Sequence, residues 1–360
     1  MALDVILNKA LDGHKLDRDD LVRLLTPAND GQRLAIRAAA RQMRFQVTGP
    51  LIFTYGFVYL STYCRNDCRF CSYRQTNGTA LRYRKDPDEV LAASQLLAAQ
   101  GVNLIDLTMG EDPSADRDEY IDEICALIAA VKNKTSLPVM ISPGVAAEPA
   151  LRKYQKAGAD WYACYQETHN PDLFARLRQG QSFQTRWQSK LSAIRCGLLV
   201  EEGALCGVGE TAEDLADSIL AMQELGAAQV RAMGFVPPAE AEAENETNDR
   251  WVNSPSAGAA QAREIDMIAV LRLALPHCLI PASLDVEGLA GLATRLDAGA
   301  NLITSLVPAG LSLAGVAQAN LDIDNQARSI SGVRPVVEEK GLKLAAPEEY
   351  RAWLAKAADA

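Results

Sequence analysis

The sequence predicts an α/β protein whose main body is a (β/α)8 barrel. Short segments rich in β-branched and aromatic residues alternate with longer segments of helical periodicity. Several helical segments end in glycine directly before the next strand-like segment, as at Gly101, Gly158, Gly226 and Gly299. The length of 360 residues suits one barrel of about 250 residues with extensions. Periodicity does not show closure, so a doubly wound open sheet stays an alternative at this stage.

The elements follow in order from the N-terminus. Two or three helices are predicted before residue 49, and the Gly49-Pro50 breaker then leads into the first strand. Eight strands are predicted, at residues 51–60, 103–109, 137–142, 160–166, 198–206, 228–236, 279–283 and 301–307. Helices are predicted between them at 87–101, 120–133, 149–158, 211–226, 260–275 and 286–299.

This pattern divides the chain into three parts. We expect a helical extension at 1–50, a barrel at 51–310 and a C-terminal appendage at 311–360. The acidic stretch 237–250 follows the sixth strand and is predicted to be a loop, because its residues lack a helical or strand period.

Composition excludes several classes of function. The chain has 46 Asp and Glu against 36 Lys and Arg, and its formal net charge of −10 argues against a surface that binds nucleic acid. No apolar run reaches the length that spans a membrane, and the N-terminal segment has no apolar signal-peptide core. We therefore expect a cytoplasmic protein, in which the eight cysteines stay reduced.

Three of the cysteines lie together directly after the first strand, in the pattern Cys64-x3-Cys68-x2-Cys71. Zinc sites usually pair two short arms and supply four ligands, whereas this segment is one arm with three thiols. Three thiolates on a four-iron cluster leave one iron without a protein ligand, and that iron can bind a small molecule. A zinc site and three incidental cysteines are the alternatives.

This motif, with the aromatic Phe70 before its third cysteine, resembles that of the radical S-adenosylmethionine superfamily. The resemblance implies a [4Fe-4S] cluster on Cys64, Cys68 and Cys71, with S-adenosylmethionine on the open iron as the source of a 5′-deoxyadenosyl radical. It also implies an electron donor such as flavodoxin or ferredoxin. The cofactor-binding residues that the resemblance implies are Phe70, Gly110, Glu111, Glu167, Arg178 and Arg186.

Further runs resemble the methylornithine synthases of pyrrolysine biosynthesis, in the biotin synthase-like branch of that superfamily. They are FxYLSTYC (57–64), DLTMGEDP (106–113), MISPG (140–144), YQET (165–168), LRxGQSF (177–183), IPASLDVEG (280–288) and RLDAGANLITSLVP (295–308). This resemblance implies an isomerase that rearranges the carbon skeleton of L-lysine to (3R)-3-methyl-D-ornithine.

A lysine-type substrate requires side chains that bind its carboxylate and its two ammonium groups. Its carboxylate needs a cation, and Arg231 lies inside the sixth strand, where a charge is costly unless it meets an opposite charge. Its ammonium groups need carboxylates and hydroxyls near the strand ends. The candidate substrate-binding residues are Asp106, Ser142, Arg231, Ser283 and Asp285. No side chain beyond the cluster and its cofactor is expected to act as an acid or base, and we expect a monomer.

Two rival functions stay open on the sequence alone. The stretch after the sixth strand lacks the Gly-Thr-Pro-like turn of many relatives, which allows a different small amino acid as substrate. Sulfur insertion of the biotin synthase type needs further cysteines on the barrel strands, where this chain has Asp106 and Ser142. An iron–sulfur scaffold or redox sensor would need the cysteines without the residues that bind S-adenosylmethionine.

Overall fold

Eight parallel strands form the centre of the molecule, one for each strand that the sequence predicts. The structure is a computed structural model, and it describes residues 1–237, 257–285, 287–308 and 327–358. The barrel strands are β1 (Leu51–Ser61), β2 (Leu104–Met109), β3 (Val139–Ser142), β4 (Trp161–Ala163), β5 (Leu199–Cys206), β6 (Gln229–Gly234), β7 (Pro281–Ser283) and β8 (Leu302–Leu306). The acidic stretch predicted at 237–250 lies outside the described residues from 238 onward.

The strands pair in the order β6-β5-β4-β3-β2-β1-β8-β7. Strands β6 and β7 meet at one parallel bridge, between Gln229 and Leu279. There the backbone N–H of Val230 donates to the carbonyl of Leu279 at 2.9 Å, and the N–H of Leu279 donates to Ala228 at 3.0 Å. These bonds make a nearly closed barrel. The barrel is confirmed, and the open doubly wound sheet is wrong.

Thirteen helices surround the strands within the part of the chain that the structure describes. They are α1 (Leu3–Leu11), α2 (Arg18–Leu25), α3 (Asp30–Thr48), α4 (Pro87–Gln100), α5 (Asp118–Thr135), α6 (Glu148–Ala157), α7 (Pro171–Leu177), α8 (Phe183–Arg195), α9 (Ala212–Leu225), α10 (Ala257–Ala274), α11 (Gly288–Asp297), α12 (Ile330–Glu339) and α13 (Pro347–Ala358). Capping boxes start α4 at Asp86 and α9 at Thr211. Gly101, Gly158 and Gly226 are left-handed C-caps, as predicted.

The N-terminal helices pack against the outside of the barrel. Helix α3 lies against α10, which itself packs on β5 and β6. Arg33 and Arg37 of α3 both pair with Asp266 of α10, at 2.9 and 3.0 Å. The extension is therefore attached to the side of the barrel formed by β5 and β6.

The last helix covers the N-terminal end of the barrel strands. Residues 343–344 pair with the first residues of β1 and bring α13 to this end. The ring of Trp353 stacks on Trp161 of β4 at 5.9 Å, and Tyr350 meets Phe53 of β1 edge-on at 5.5 Å. The barrel interior is thereby filled with aromatic rings at this end, which leaves the C-terminal ends of the strands as the place for a site. None of the described helices is long and apolar enough to span a membrane.

Candidate active site

The three-cysteine loop begins where β1 ends and packs against the end of β2. The backbone N–H of Gly110 donates to the carbonyl of Ser61 at 2.8 Å. A Cβ on Gly110 would lie 2.4 Å from the carbonyl oxygen of Tyr63 and 3.0 Å from the Cβ of Cys64. Only glycine fits there, so the predicted cofactor residue Gly110 has a structural role in bringing the loop against β2.

The sulfur atoms of the loop lie in one electrostatic neighbourhood. Burial raises the pKa of the Cys64 thiol, and the neighbouring Cys68 raises it further. Burial and Cys68 also raise the pKa of Cys71, to about 12. The Sγ atom of Cys68 accepts hydrogen bonds from Arg178 Nη1 at 3.3 Å and from Gln181 Nε2 at 3.0 Å. Cys68 is buried and the other two cysteines are partly buried. Such thiols become thiolates when a cation compensates them, so the three side chains suit an iron–sulfur cluster.

The geometry does not suit a single metal ion. Across the described ranges, no three His, Cys, Asp or Glu side chains converge as the ligands of one ion would. A four-iron cluster instead takes its thiolates at separate iron atoms, so its ligands do not meet at a point. The donor set of three thiols without histidine therefore fits a cluster better than zinc.

Glu111 links the cysteine loop to two other parts of the mouth of the barrel. Its carboxylate accepts from Arg65 at 2.9 Å, from the Asn66 amide at 2.9 Å and from Arg186 of α8 at 3.3 Å. The backbone N–H of Val145, after β3, also donates to it, at 3.2 Å. Glu111 is only 8% exposed. A buried carboxylate with this many donors is held in a fixed position.

Glu167, Arg178 and Phe70 form a second group beside the cysteines. Glu167 follows β4 and has a φ of 70°, an uncommon conformation for a residue with a side chain. Its Oε1 accepts from Arg178 Nη2 at 3.2 Å, and the guanidinium carbon of Arg178 lies 5.0 Å from the centre of the Phe70 ring. Burial raises the pKa of Glu167, while Arg178 opposes that rise. Arg178 therefore joins the cysteine loop to the end of β4.

Arg186 lies between these two groups. Its Nη2 donates to Gln181 Oε1 at 2.9 Å and its Nη1 donates to the Cys164 sulfur at 2.9 Å. Its Nε is buried and has no hydrogen-bond partner among the described residues. The structure thus brings together the cofactor-binding residues that the resemblance implies, and Arg186 keeps one donor unsatisfied.

A second polar region lies deeper in the barrel, below this mouth. Asp106 of β2 is 2% exposed and accepts from the Ser142 hydroxyl at 2.8 Å. Burial raises the pKa of Asp106 to about 8, with a further rise from Glu201 that the Ser142 hydrogen bond opposes. An ammonium group placed beside this carboxyl group would lower its pKa and favour its anionic form.

Arg231 of β6 lies opposite, and its partner in the protein is Glu201 of β5. Arg231 Nε donates to Glu201 Oε1 at 2.8 Å, and Nη2 donates to the Tyr55 hydroxyl. The guanidinium also lies 5.5 Å from the centre of the Tyr165 ring. The Glu201 Oε2 atom is buried without a hydrogen-bond partner among the described residues. The opposite charge that a strand arginine requires is therefore present.

The two remaining predicted residues form a group of their own. Asp285 accepts from Arg328 at 2.8 Å and from the Ser305 hydroxyl at 2.7 Å. The Ser283 hydroxyl lies 3.3 Å from that of Ser305 and accepts from the backbone N–H of Asp285 at 3.3 Å. Asp285 is thus already paired with an arginine. Among the residues that the structure describes, Asp106 has a hydroxyl as its hydrogen-bond partner.

Sequence reasoning missed several of these side chains. The strand LLVEEGALC contains Glu201 and Glu202 side by side, and adjacent residues of a strand point to opposite faces. That alternation was a usable signal for a charge inside the barrel. Gln181 lies within the LRxGQSF run but was given no role. Arg328 comes 43 residues after Asp285, and no local pattern links the two.

Comparison with known proteins gives consistent results. The Radical SAM superfamily model matches residues 58–222. The chain is 37% identical to 3-methylornithine synthase from Methanosarcina acetivorans over 98% of its length, covering 97% of that protein. It is 36% identical to 3-methylornithine synthase from Methanosarcina barkeri, with the same two coverages. A crystal structure of methylornithine synthase (PylB) superposes with a TM-score of 0.86 at 36% identity, covering 97% of this chain and 99% of that one.

Proposed function

The chain belongs to the 3-methylornithine synthase family of radical S-adenosylmethionine enzymes, and from this premise we propose that it converts L-lysine to (3R)-3-methyl-D-ornithine. Such an enzyme is an isomerase, because substrate and product have the same atoms. It needs a [4Fe-4S] cluster and S-adenosylmethionine, and these cofactors belong to the family.

The observation that carries the proposal is the set of charges inside the barrel. Arg231 supplies one positive charge, while Glu201 and the ionised form of Asp106 supply two negative charges. Asp285 and Arg328 cancel each other. Among the described residues, the interior is therefore short of one positive charge when Asp106 is ionised. A diamino monocarboxylic acid carries a net charge of +1 at neutral pH. Lysine and methylornithine are both amino acids of that kind.

Residues at the mouth of the barrel would hold the cofactors. Cys64, Cys68 and Cys71 would bind the cluster, and when bound the cluster and S-adenosylmethionine supply a 5′-deoxyadenosyl radical. Glu111 offers a fixed carboxylate toward an amino group, and Arg186 offers an unsatisfied Nε–H toward a carboxylate.

Residues in the barrel would fix the substrate and keep water away. Arg231 would bind the α-carboxylate through its guanidinium while Glu201 holds that guanidinium in place. Asp106, with Ser142 as its donor, would receive an ammonium group. The rings of Trp161 and Trp353 close the opposite end of the barrel. Fixed ionic contacts and exclusion of water protect a reactive radical from side reactions.

The wider setting of the reaction is also part of the proposal. A low-potential protein such as flavodoxin or ferredoxin would reduce the cluster, and the enzyme would work as a monomer in the cytoplasm.

The direct test is turnover by reconstituted enzyme. The chain is loaded with iron and sulfide, reduced, and incubated with L-lysine labelled with ¹³C and with S-adenosylmethionine. Mass spectrometry and NMR should show an isobaric amino acid with a rearranged skeleton, and a Cys68→Ala variant should give none. Recovery of unchanged lysine with a fully loaded cluster would reject the proposed substrate.

A scaffold or sensor role makes a different prediction for the same sample. The electron paramagnetic resonance spectrum of the reduced cluster should change when S-adenosylmethionine is added, because the cofactor would bind the iron that has no thiolate. An unchanged spectrum would instead support the scaffold or sensor.

A further inference from the structure

The sulfur of Cys68 receives two side-chain hydrogen bonds. Gln181 Nε2 donates to it at 3.0 Å and Arg178 Nη1 donates at 3.3 Å. The Cys64 sulfur has a backbone donor, the N–H of Asn66, at the longer distance of 3.5 Å. The thiol environment is therefore asymmetric, with Cys68 the sulfur that side chains contact most closely.

The orientation of the Gln181 amide follows from its neighbours. Arg186 Nη2 donates to Gln181 Oε1 at 2.9 Å, and a guanidinium can only donate. The oxygen of the amide must then face Arg186, and its NH₂ group must face the sulfur of Cys68. Arg186 is itself held by Glu111 at 3.3 Å, so the amide cannot turn over without breaking an ordered set of contacts.

We propose that Gln181 is a positioning residue for the iron–sulfur cluster, and that the hydrogen bond from its amide to the Cys68 sulfur raises the reduction potential of the bound cluster. Reduction adds negative charge to the cluster and its thiolates. A donor aimed at one of these sulfurs stabilises the reduced form more than the oxidised form, and this favours reduction. The inference rests on the cluster of the proposed function but not on the identity of the amino acid substrate.

The contact also connects the cluster to a candidate cofactor residue. Gln181 touches Cys68 through its nitrogen and Arg186 through its oxygen. A negatively charged group that binds Arg186 would compete with Gln181 Oε1 for the guanidinium and so change the position of the amide. Gln181 is thus placed so that occupancy at Arg186 alters the hydrogen bond to the cluster ligand.

Two substitutions separate the parts of this contact. Gln181→Glu keeps an oxygen for Arg186 and replaces the donor by an anion facing the sulfur, whereas Gln181→Leu removes both contacts. The matched control is Gln179→Leu, two residues earlier, because Gln179 is exposed and its amide lies against Arg69. Each variant is reconstituted, its iron content is measured, and its cluster is titrated potentiometrically without lysine.

The expected result is a more negative midpoint potential in both Gln181 variants. At a fixed solution potential, the ratio of reduced to oxidised cluster should fall about tenfold in Gln181→Leu, as for loss of one hydrogen bond to a charged group, and further in Gln181→Glu. Potentials equal to those of wild type and Gln179→Leu, at full iron content, would overturn the proposal. So would a shift in Gln181→Glu alone, since it would reflect the added charge only.

Failure of this inference and failure of the proposed function give different results. If wild-type enzyme rearranges lysine while the Gln181 variants keep the wild-type potential, only the role of Gln181 is wrong. If the potentials shift and wild-type enzyme leaves lysine unchanged, the tuning role stands and the substrate is wrong. Should Gln181→Leu bind no iron, the uncharged and unbranched Gln181→Met replaces it: an unshifted potential there rejects the proposal and a lowered one supports it.

Discussion

Glu201 and Glu202 are neighbours on β5, both are fully buried, and each pairs with a buried cation, but they belong to different regions of the molecule. Glu201 faces the barrel interior and meets Arg231. Glu202 faces the outside of the barrel and meets Lys190 of α8. Because side chains alternate along a strand, Glu201 lies in the candidate site and Glu202 lies between β5 and helix α8.

The difference lies in how completely each carboxylate is satisfied. Glu202 accepts from Lys190 Nζ and from the backbone N–H of Gln166, at 2.7 Å for the latter. Burial alone would raise the pKa of Glu202, but Lys190 and His169 lower it to about 2. Glu201 has one oxygen without a partner among the described residues. Burial and pairing do not mark a functional charge, but an incomplete set of partners points to one.

The largest effect on stability is expected from the ion pair of Glu202 and Lys190. Lys190→Met leaves Glu202 buried without its cation, and such a loss costs about 3–5 kcal/mol in the free energy of unfolding. Chemical denaturation of the variant measures this. The double variant Lys190→Met/Glu202→Gln should recover most of the loss, because neither buried charge remains. A Lys190→Met variant as stable as wild type would show that the ion pair of Glu202 and Lys190 does not stabilise the fold.

The barrel interior should respond in activity instead. Arg231→Lys keeps the positive charge but loses the planar fork that contacts Glu201 and Tyr55 together. We expect kcat/KM for lysine to fall about 100-fold, with a change of only a few degrees in Tm. The control is Arg33→Lys, which makes the same exchange on α3. Equal kcat/KM values in wild type and Arg231→Lys would remove Arg231 from the site.

The two regions should also differ in their dependence on pH. The pKa of Asp106 is about 8 in the folded chain, so between its usual value and pH 8 the folded chain holds a proton that the unfolded chain releases. Stability then falls as pH rises, by about 1.4 kcal/mol from pH 6 to pH 7. Asp106→Asn should flatten that slope. Glu202→Gln should not, because the stabilisation from the lowered pKa of Glu202 is lost only below about pH 4.5, as pH falls toward 2.

A smaller effect is expected from the hydroxyl beside Asp106. Ser142→Ala removes the donor at 2.8 Å, which should cost about 1 kcal/mol and raise the pKa of Asp106 further. The pH at which lysine binding is half-maximal should move up with it, as binding titrations between pH 6 and pH 9 would show. An unmoved pH profile would mean that Asp106 is not the group that lysine meets.

The fold was largely predictable because its signals are local. All eight strands follow from hydrophobic pattern, and three of the four glycine stops are C-caps with a left-handed backbone, as predicted. Closure was not predictable, since it depends on Gln229 meeting Leu279 across two strands that are distant in sequence. The division at residues 50 and 310 stays a prediction.

The candidate site was predictable where residues lie in recognisable runs. Cys68, Arg178 and Arg186 are predicted this way, and the structure places them in one connected group. The partners Tyr55 and Arg328 were not found, because each contacts its predicted neighbour from a part of the chain far away in sequence. Contacts of that kind depend on the closed barrel, which no single segment encodes.

The aromatic stack of Trp353 on Trp161 has a consequence for the sequence of events in each catalytic cycle. With the lower end of the barrel filled, the mouth is the entrance that the described residues leave for ligands. The deeper ligand then has to arrive before the shallower one and leave after it. Asp106 lies on β2, before Glu111 along the chain, and therefore deeper. The amino acid should bind first and S-adenosylmethionine second, which gives the initial-rate pattern of an ordered mechanism. A random pattern would show that the barrel has another way in.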